Sequence, residues 1–152
     1  MPAVTEGKQM SIEFQYDDGG RAAAGFRGTT GDCVTRAIAI ATGKPYREVY
    51  DALNGYAKRE RRGKRKRSTS NARTGVHKPT TRRYLADLGW EWTPTMAIGS
   101  GCTVHLRADE LPAGTIIVAV SKHVAAIKDG VLHDLYDCSR SGTRCVYGFW
   151  SQ

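Results

Sequence analysis

Residues 115–137 read Thr-Ile-Ile-Val-Ala-Val-Ser-Lys-His-Val-Ala-Ala-Ile-Lys-Asp-Gly-Val-Leu-His-Asp-Leu-Tyr-Asp, and this stretch decides the fold. Its apolar residues are mostly small or β-branched and come in short runs, 115–120, 123–128 and 131–136, too brief for helices and of the composition that suits strands. Asp129-Gly130 between the last two is a strong two-residue hairpin signal. Further short extended pieces follow Gly89 (90–92 and 103–106) and close the chain (146–150), and an alternating piece at 11–16 reads as an edge strand.

Upstream of Gly89 the period is helical. Val34, Ala37, Ile38 and Ala41 fall at i, i+3, i+4 and i+7, with Asp32 as the expected N-cap and Gly43 as the expected stop. Small residues at 39 and 41 let this helix be buried on more than one face. Pro45 suits the first turn of a second helix carrying Tyr46, Val49, Tyr50 and Leu53 to about Arg59, and Pro79 opens a third with Thr81, Tyr84, Leu85 and Leu88. Helices first and strands after indicate an α+β domain, with an antiparallel sheet packed on the helix that starts at Cys33. At 152 residues the chain fits one domain spanning 1–152.

The formal charge of +8 is unevenly placed. Residues 58–83 hold twelve Lys or Arg against one acid, Glu60, while the remainder holds eleven against fourteen acids and is slightly negative. Within that segment, about 60–75 reads as a mobile loop, because its centre is basic and devoid of apolar residues. Arg61, Arg62, Lys64, Arg65, Lys66 and Arg67 are the candidate partner-binding residues, suited to phosphates or an acidic protein. No aromatic residue lies between 57 and 83, so a base-stacking platform is not expected there. Any nucleic-acid contact should be to the backbone.

No run of apolar residues reaches membrane-spanning or signal-peptide length, which leads to the expectation of a soluble, cytoplasmic chain with reduced thiols and no membrane partner. Cys138 and Cys145 are the pair that an oxidising compartment would join across a short loop. Cys102, His105, Cys138 and Cys145 lack the spacing of a zinc knuckle or ribbon. No glycine-rich phosphate loop, zinc-hydrolase helix or C-x-x-C pair is present, and no cofactor or metal is called for.

Chemistry points instead to Cys33. A cysteine in the first turn of a helix meets unpaired N–H groups and the positive end of the helix dipole, which favour the thiolate. With Gly31-Asp32-Cys33 leading into an apolar helix and His123-Val124-Ala125-Ala126 opening a later strand, the chain resembles the papain-like cysteine peptidases. It also resembles small uncharacterised phage and prophage proteins carrying Gly-Asp-Cys-Val-x-Arg-Ala, His-x-x-Ala-x-x-Asp-Gly and a terminal Cys-Val-Tyr-Gly-Phe-Trp, a likeness covering residues 30–150. The papain resemblance implies Cys33 as nucleophile, His123 as base and an acid that orients His123.

Two acids compete for that last place. A two-residue loop at 129–130 sets His123 opposite Tyr136 and diagonal to Asp134, whereas a three-residue loop sets it opposite Asp137. The family's usual separation favours Asp137, with Asp134 the alternative. The glutamine that papain-like enzymes carry six residues before the nucleophile is here Arg27, so the oxyanion hole is unassigned, with Gln15, Thr29 and Thr30 as candidate donors beside the Cys33 N–H. The resemblance implies a peptidase or amidohydrolase acting on a peptide or protein through an acyl-enzyme. The competing reading is a protease-like module that binds nucleic acid or an acidic partner through 58–83. His77, His105 and His133 read as surface or strand residues, and Trp90, Trp92 and Trp150 as core or cleft wall.

Overall fold

The computed structural model describes residues 12–28, 31–60, 69–97 and 99–152. Its elements run β1 (Glu13–Tyr16), α1 (Cys33–Thr42), α2 (Tyr46–Ala57), α3 (Lys78–Asp87), β2 (Glu91–Pro94), a 3-10 turn (Ala108–Glu110), β3 (Thr115–Val120), β4 (His123–Lys128), β5 (Val131–Asp134) and β6 (Gly148–Ser151). This is an α+β arrangement of three helices and a six-stranded sheet in the order β1-β5-β4-β3-β6-β2.

The sheet is mixed and not wholly antiparallel. β1 is an edge strand as expected, but it runs parallel to β5 with Glu13 opposite Val131, because the chain returns to β5 only after all three helices and β2, β3 and β4. The remaining pairs are antiparallel. The expected strand at 103–106 is reduced to a single bridge between His105 and Cys145.

Alternation along β3 explains the two-sided core. Ile117 joins the helix-side cluster of Val34, Ile38, Val49, Leu53, Leu85 and Trp150, while Ile116, Val118 and Val120 join Leu106, Ile127, Leu132 and Val146 on the other face. Helices cover one side and the loops around Leu106 and Val146 the other. The sheet is therefore buried on both faces, which accounts for the nearly continuous apolar reading of 115–120.

α1 ends where Gly43 takes the left-handed conformation and its N–H bonds Ala39 O at 2.9 Å. Asp32 does not act as the expected side-chain cap; its carboxylate turns inward to Arg36, Arg21 and Tyr46. The presumed loop is also shorter than expected. Ser70 and Ala72 are buried, Asn71 and Gly75 close a tight turn, and Thr35 Oγ1 donates to Ala72 O at 2.6 Å. Glu60 accepts hydrogen bonds from Ser70 N–H and from the Thr80 hydroxyl, so both edges of the basic segment are fastened to the body. Residues 61–68, with Arg61, Arg62, Lys64, Arg65, Lys66 and Arg67, lie outside the described residues.

Gly148 is fixed by packing, since a methyl group there would run into the Trp92 ring and lie 2.8 Å from Thr93 O. Gly148→Ala is expected to destabilise by about 1–3 kcal/mol, the ordinary cost of overpacking. Urea unfolding followed by tryptophan fluorescence checks this, and an unchanged midpoint would contradict the Trp92 placement.

Candidate active site

The first turn of α1 meets the sheet where β4 begins and β5 ends, and the candidate residues converge there. The Val124 N–H and the His123 ring both act on the Cys33 sulfur and lower its pKa. His123 Nε2–H donates to Asp134 Oδ2 at 2.6 Å, with the His123 side chain 8% exposed and that of Asp134 1%. The observed register sets Lys128 opposite Val131 across a two-residue turn whose residues, Asp129 and Gly130, have φ of 49° and 80°. That register puts Asp134 against His123.

Asp137 is consequently corrected. It is exposed, and its Oδ1 accepts from Ser139 N–H at 2.9 Å and from Ser139 Oγ–H at 2.6 Å, closing a local turn. Gln15 is likewise misplaced as an oxyanion donor, because β1 stands at the far edge of the sheet and its amide donates to Tyr16 O at 3.1 Å. Thr29 and Thr30 lie outside the described residues.

A buried ionic chain that sequence reading missed holds the Cys33–His123–Asp134 cluster in place. Arg36 donates from Nε to Asp32 Oδ1 at 2.9 Å and from Nη1 to Asp134 Oδ1 at 2.7 Å. Asp32 also accepts from Tyr46 Oη–H at 2.7 Å and from Arg21 Nη1–H at 3.2 Å. Two carboxylates thus face two guanidinium groups, and the Cys33–His123 pair adds no net charge wherever its proton sits. A signal was present, since Arg36 stands four residues after Asp32 in a helix read as buried on several sides.

Burial alone would push the Cys33 thiol up, but the His123 hydrogen bond and charge, the Val124 N–H and the Arg36 charge together hold its pKa below the ordinary 9.0. Burial would push His123 down, yet its hydrogen bonds with Asp134, Cys138 and Cys33 and the Asp134 charge raise it far above 6.5. Asp134 is lowered despite burial by His123, the Leu135 N–H and Arg36. Imidazolium stabilisation of the fold is therefore complete below pH 6.5 and lost as pH climbs through the raised His123 value. Thiolate stabilisation is complete above pH 9.0 and lost as pH falls through the lowered Cys33 value.

Cys33 opens onto a cleft of about 760 Å³. Its far wall is aromatic and apolar, built from Trp92, Trp150, Tyr147, Met96 and Pro94, with the Trp92 and Trp150 ring centroids 4.5 Å apart. Gly31 lines the near side, where a Cβ would sit 2.8 Å from Thr74 O, so the approach to Cys33 has room only for glycine.

The remaining cysteines depart from expectation. Where reduced thiols were expected, Cys102 and Cys145 form a disulfide across 43 residues, with Cα atoms 5.7 Å apart, and Cys138 is free. Cys138 is instead buried beside His123 and Asp134, the three offering ligand atoms within 4.8 Å of one another. Arg36 already holds Asp134, so a divalent cation in that cluster would confront a guanidinium. His133 turns away to Asp17, its Nδ1–H donating to Oδ2 at 3.0 Å, and His105 pairs with Glu110.

No family model matches the chain, and searches of curated proteins and of solved structures find no match either. Among the described residues, no helix is long and apolar enough to cross a membrane.

Thiol titration should read two groups in unfolded, unreduced protein and four after reduction, with Cys33 alone reacting promptly in the native state. Four thiols before reduction would remove the Cys102–Cys145 bond. Asp134→Ala should destabilise by about 3–5 kcal/mol by leaving Arg36 short of a buried counter-charge. A stability loss below ~1 kcal/mol in denaturant unfolding would contradict the ionic chain.

Proposed function

We propose that this protein is a papain-like cysteine peptidase or amidohydrolase acting by acyl transfer at Cys33. The observation that carries the reading is the unbroken chain Arg36–Asp134–His123–Cys33, whose thiol is both lowered in pKa and open to a cleft. Geometry of this kind is what an activated thiol needs: a base in contact, the base oriented by a buried acid, and that acid fixed in turn.

His123 Nε2 is committed to Asp134, so proton exchange with sulfur runs through Nδ1. The thiolate attacks an amide carbonyl, forming the S–C bond, and the imidazolium gives its proton to the departing amine as the C–N bond breaks. Water then loses a proton to His123 and attacks the thioester; the carboxylic acid leaves and the thiol is restored. The oxyanion is served by the first turn of α1, whose N–H groups the Asp32 side chain does not cap. Bacterial or phage-host cytoplasm remains the proposed location.

A second reading, a non-catalytic module gripping nucleic acid or an acidic partner through 58–83, is favoured by one observation. The aromatic partners missing from that segment are supplied from elsewhere: Lys78 Nζ lies 5.9 Å from the Tyr147 ring centroid and Arg82 Cζ 5.1 Å from that of Trp92.

Alkylation kinetics separate the two. Iodoacetamide should label Cys33 rapidly at pH 6–7, and His123→Ala should slow labelling there by about tenfold or more, since each pKa unit regained costs a factor of ten in thiolate. Asp134→Asn should move the pH profile in the same direction by less. Slow labelling of Cys33 that is indifferent to His123→Ala would overturn the enzyme reading.

A further inference from the structure

The cleft beside Cys33 combines a broad aromatic wall with cations of one sign, and no Asp or Glu appears among its described lining residues. Lys78 and Arg82 are exposed on α3 and lie over the Tyr147 and Trp92 rings, and Lys122 is exposed in the turn directly before His123. None of the three has a carboxylate partner among the described residues, unlike half-buried Lys44 and exposed Arg47, which pair with Glu48 and Asp51. Their positive ends are therefore available to a ligand, while the cation–π contacts hold two of them at the edge of the apolar wall.

We infer that the cleft selects peptide substrates in which a bulky apolar or aromatic residue lies next to an acidic one, with Trp92, Trp150 and Tyr147 taking the apolar side chain and Lys78, Arg82 and Lys122 the carboxylate. The inference rests on the acyl-transfer reading of the same cleft and adds the substrate class. An apolar wall alone would accept any hydrophobic residue, and cations alone any anion; specificity comes from having both within one cavity of about 760 Å³. A basic substrate would bring like charge to three unneutralised cations, so it is rejected as well as merely unrewarded.

Binding is read on the Cys33→Ala protein, so that no turnover is required. Three blocked tetrapeptides, acetyl-Glu-Phe-Glu-Ala-amide and its Gln-Phe-Gln and Lys-Phe-Lys counterparts, are titrated against tryptophan fluorescence. The acidic peptide should bind about five- to tenfold more tightly than the glutamine peptide, as expected for two or three exposed ion pairs, and the lysine peptide more weakly still. In Lys78→Glu/Arg82→Glu the order should reverse, with thermal unfolding reporting that the variant is folded; Arg82→Gln, a milder change, should reduce the preference if the double variant is not. Equal affinity for the acidic and glutamine peptides overturns the inference, whatever the variants do. So does retention of the acidic preference in folded Lys78→Glu/Arg82→Glu, or tighter binding of a mixed-sequence single-stranded oligonucleotide than of the acidic peptide. Rapid Cys33 alkylation in the parent without charge selectivity removes the specificity and leaves the acyl-transfer reading standing. Charge-selective binding with an inert Cys33 keeps the recognition site and removes the chemistry.

Discussion

Arg36 holds the molecule together at its most constrained point. Its guanidinium joins the carboxylate just before α1 to the carboxylate that ends β5, two groups 102 residues apart in sequence and both essentially excluded from solvent. A buried ionic cluster of this kind roughly breaks even against well-packed apolar residues, so its contribution is less to total stability than to position. Removing any one member strands the others. α1 therefore has one angle and one height relative to β5, and Cys33, sitting between Asp32 and Arg36, inherits both.

That constraint explains an apparent lapse at the start of α1. Aspartate before a helix ordinarily caps a first-turn N–H, yet Asp32 gives its oxygens to Arg36, Arg21 and Tyr46. The helix forgoes a capping bond worth about 1 kcal/mol and gains a buried anchor. The partial positive charge of the helix start is consequently left to act on the Cys33 sulfur, joined by Val124 N–H from the neighbouring strand. The fold and the electrostatic setting of Cys33 depend on the same choice of partner for one carboxylate.

Cys33 and His123 were legible because each sits at a local boundary, a helix start and a strand start, that periodicity marks. The acid was legible only through the turn: Asp129-Gly130 prefers two central residues at positive φ, and that two-residue geometry selects Asp134. Family habit pointed one step too far along, to Asp137. Arg36 was hidden by its type, since an arginine in a helix reads as solvated unless its partners are known, and Asp134 lies 98 residues away. The parallel pairing of β1 and the Cys102–Cys145 bond escaped for the same reason, since both join segments distant in sequence.

The cleft wall shows how a local argument can be sound and still mislead. Residues 58–83 do lack aromatic residues, but α3 delivers Lys78 and Arg82 to Tyr147 and Trp92, which arrive on the chain before β6 and on β2. Gly148 leaves the Trp92 ring packed where a Cβ would otherwise collide with it. Around the sulfur the proton inventory is equally restricted. Arg36 keeps its charge, Tyr46 is held well above its usual range by burial and by Asp32, and Asp134 is held below its own by His123 and Arg36. The opposed shifts of Cys33, lowered, and His123, raised, favour a thiolate beside an imidazolium, and such a pair is the starting state that nucleophilic thiol chemistry would use.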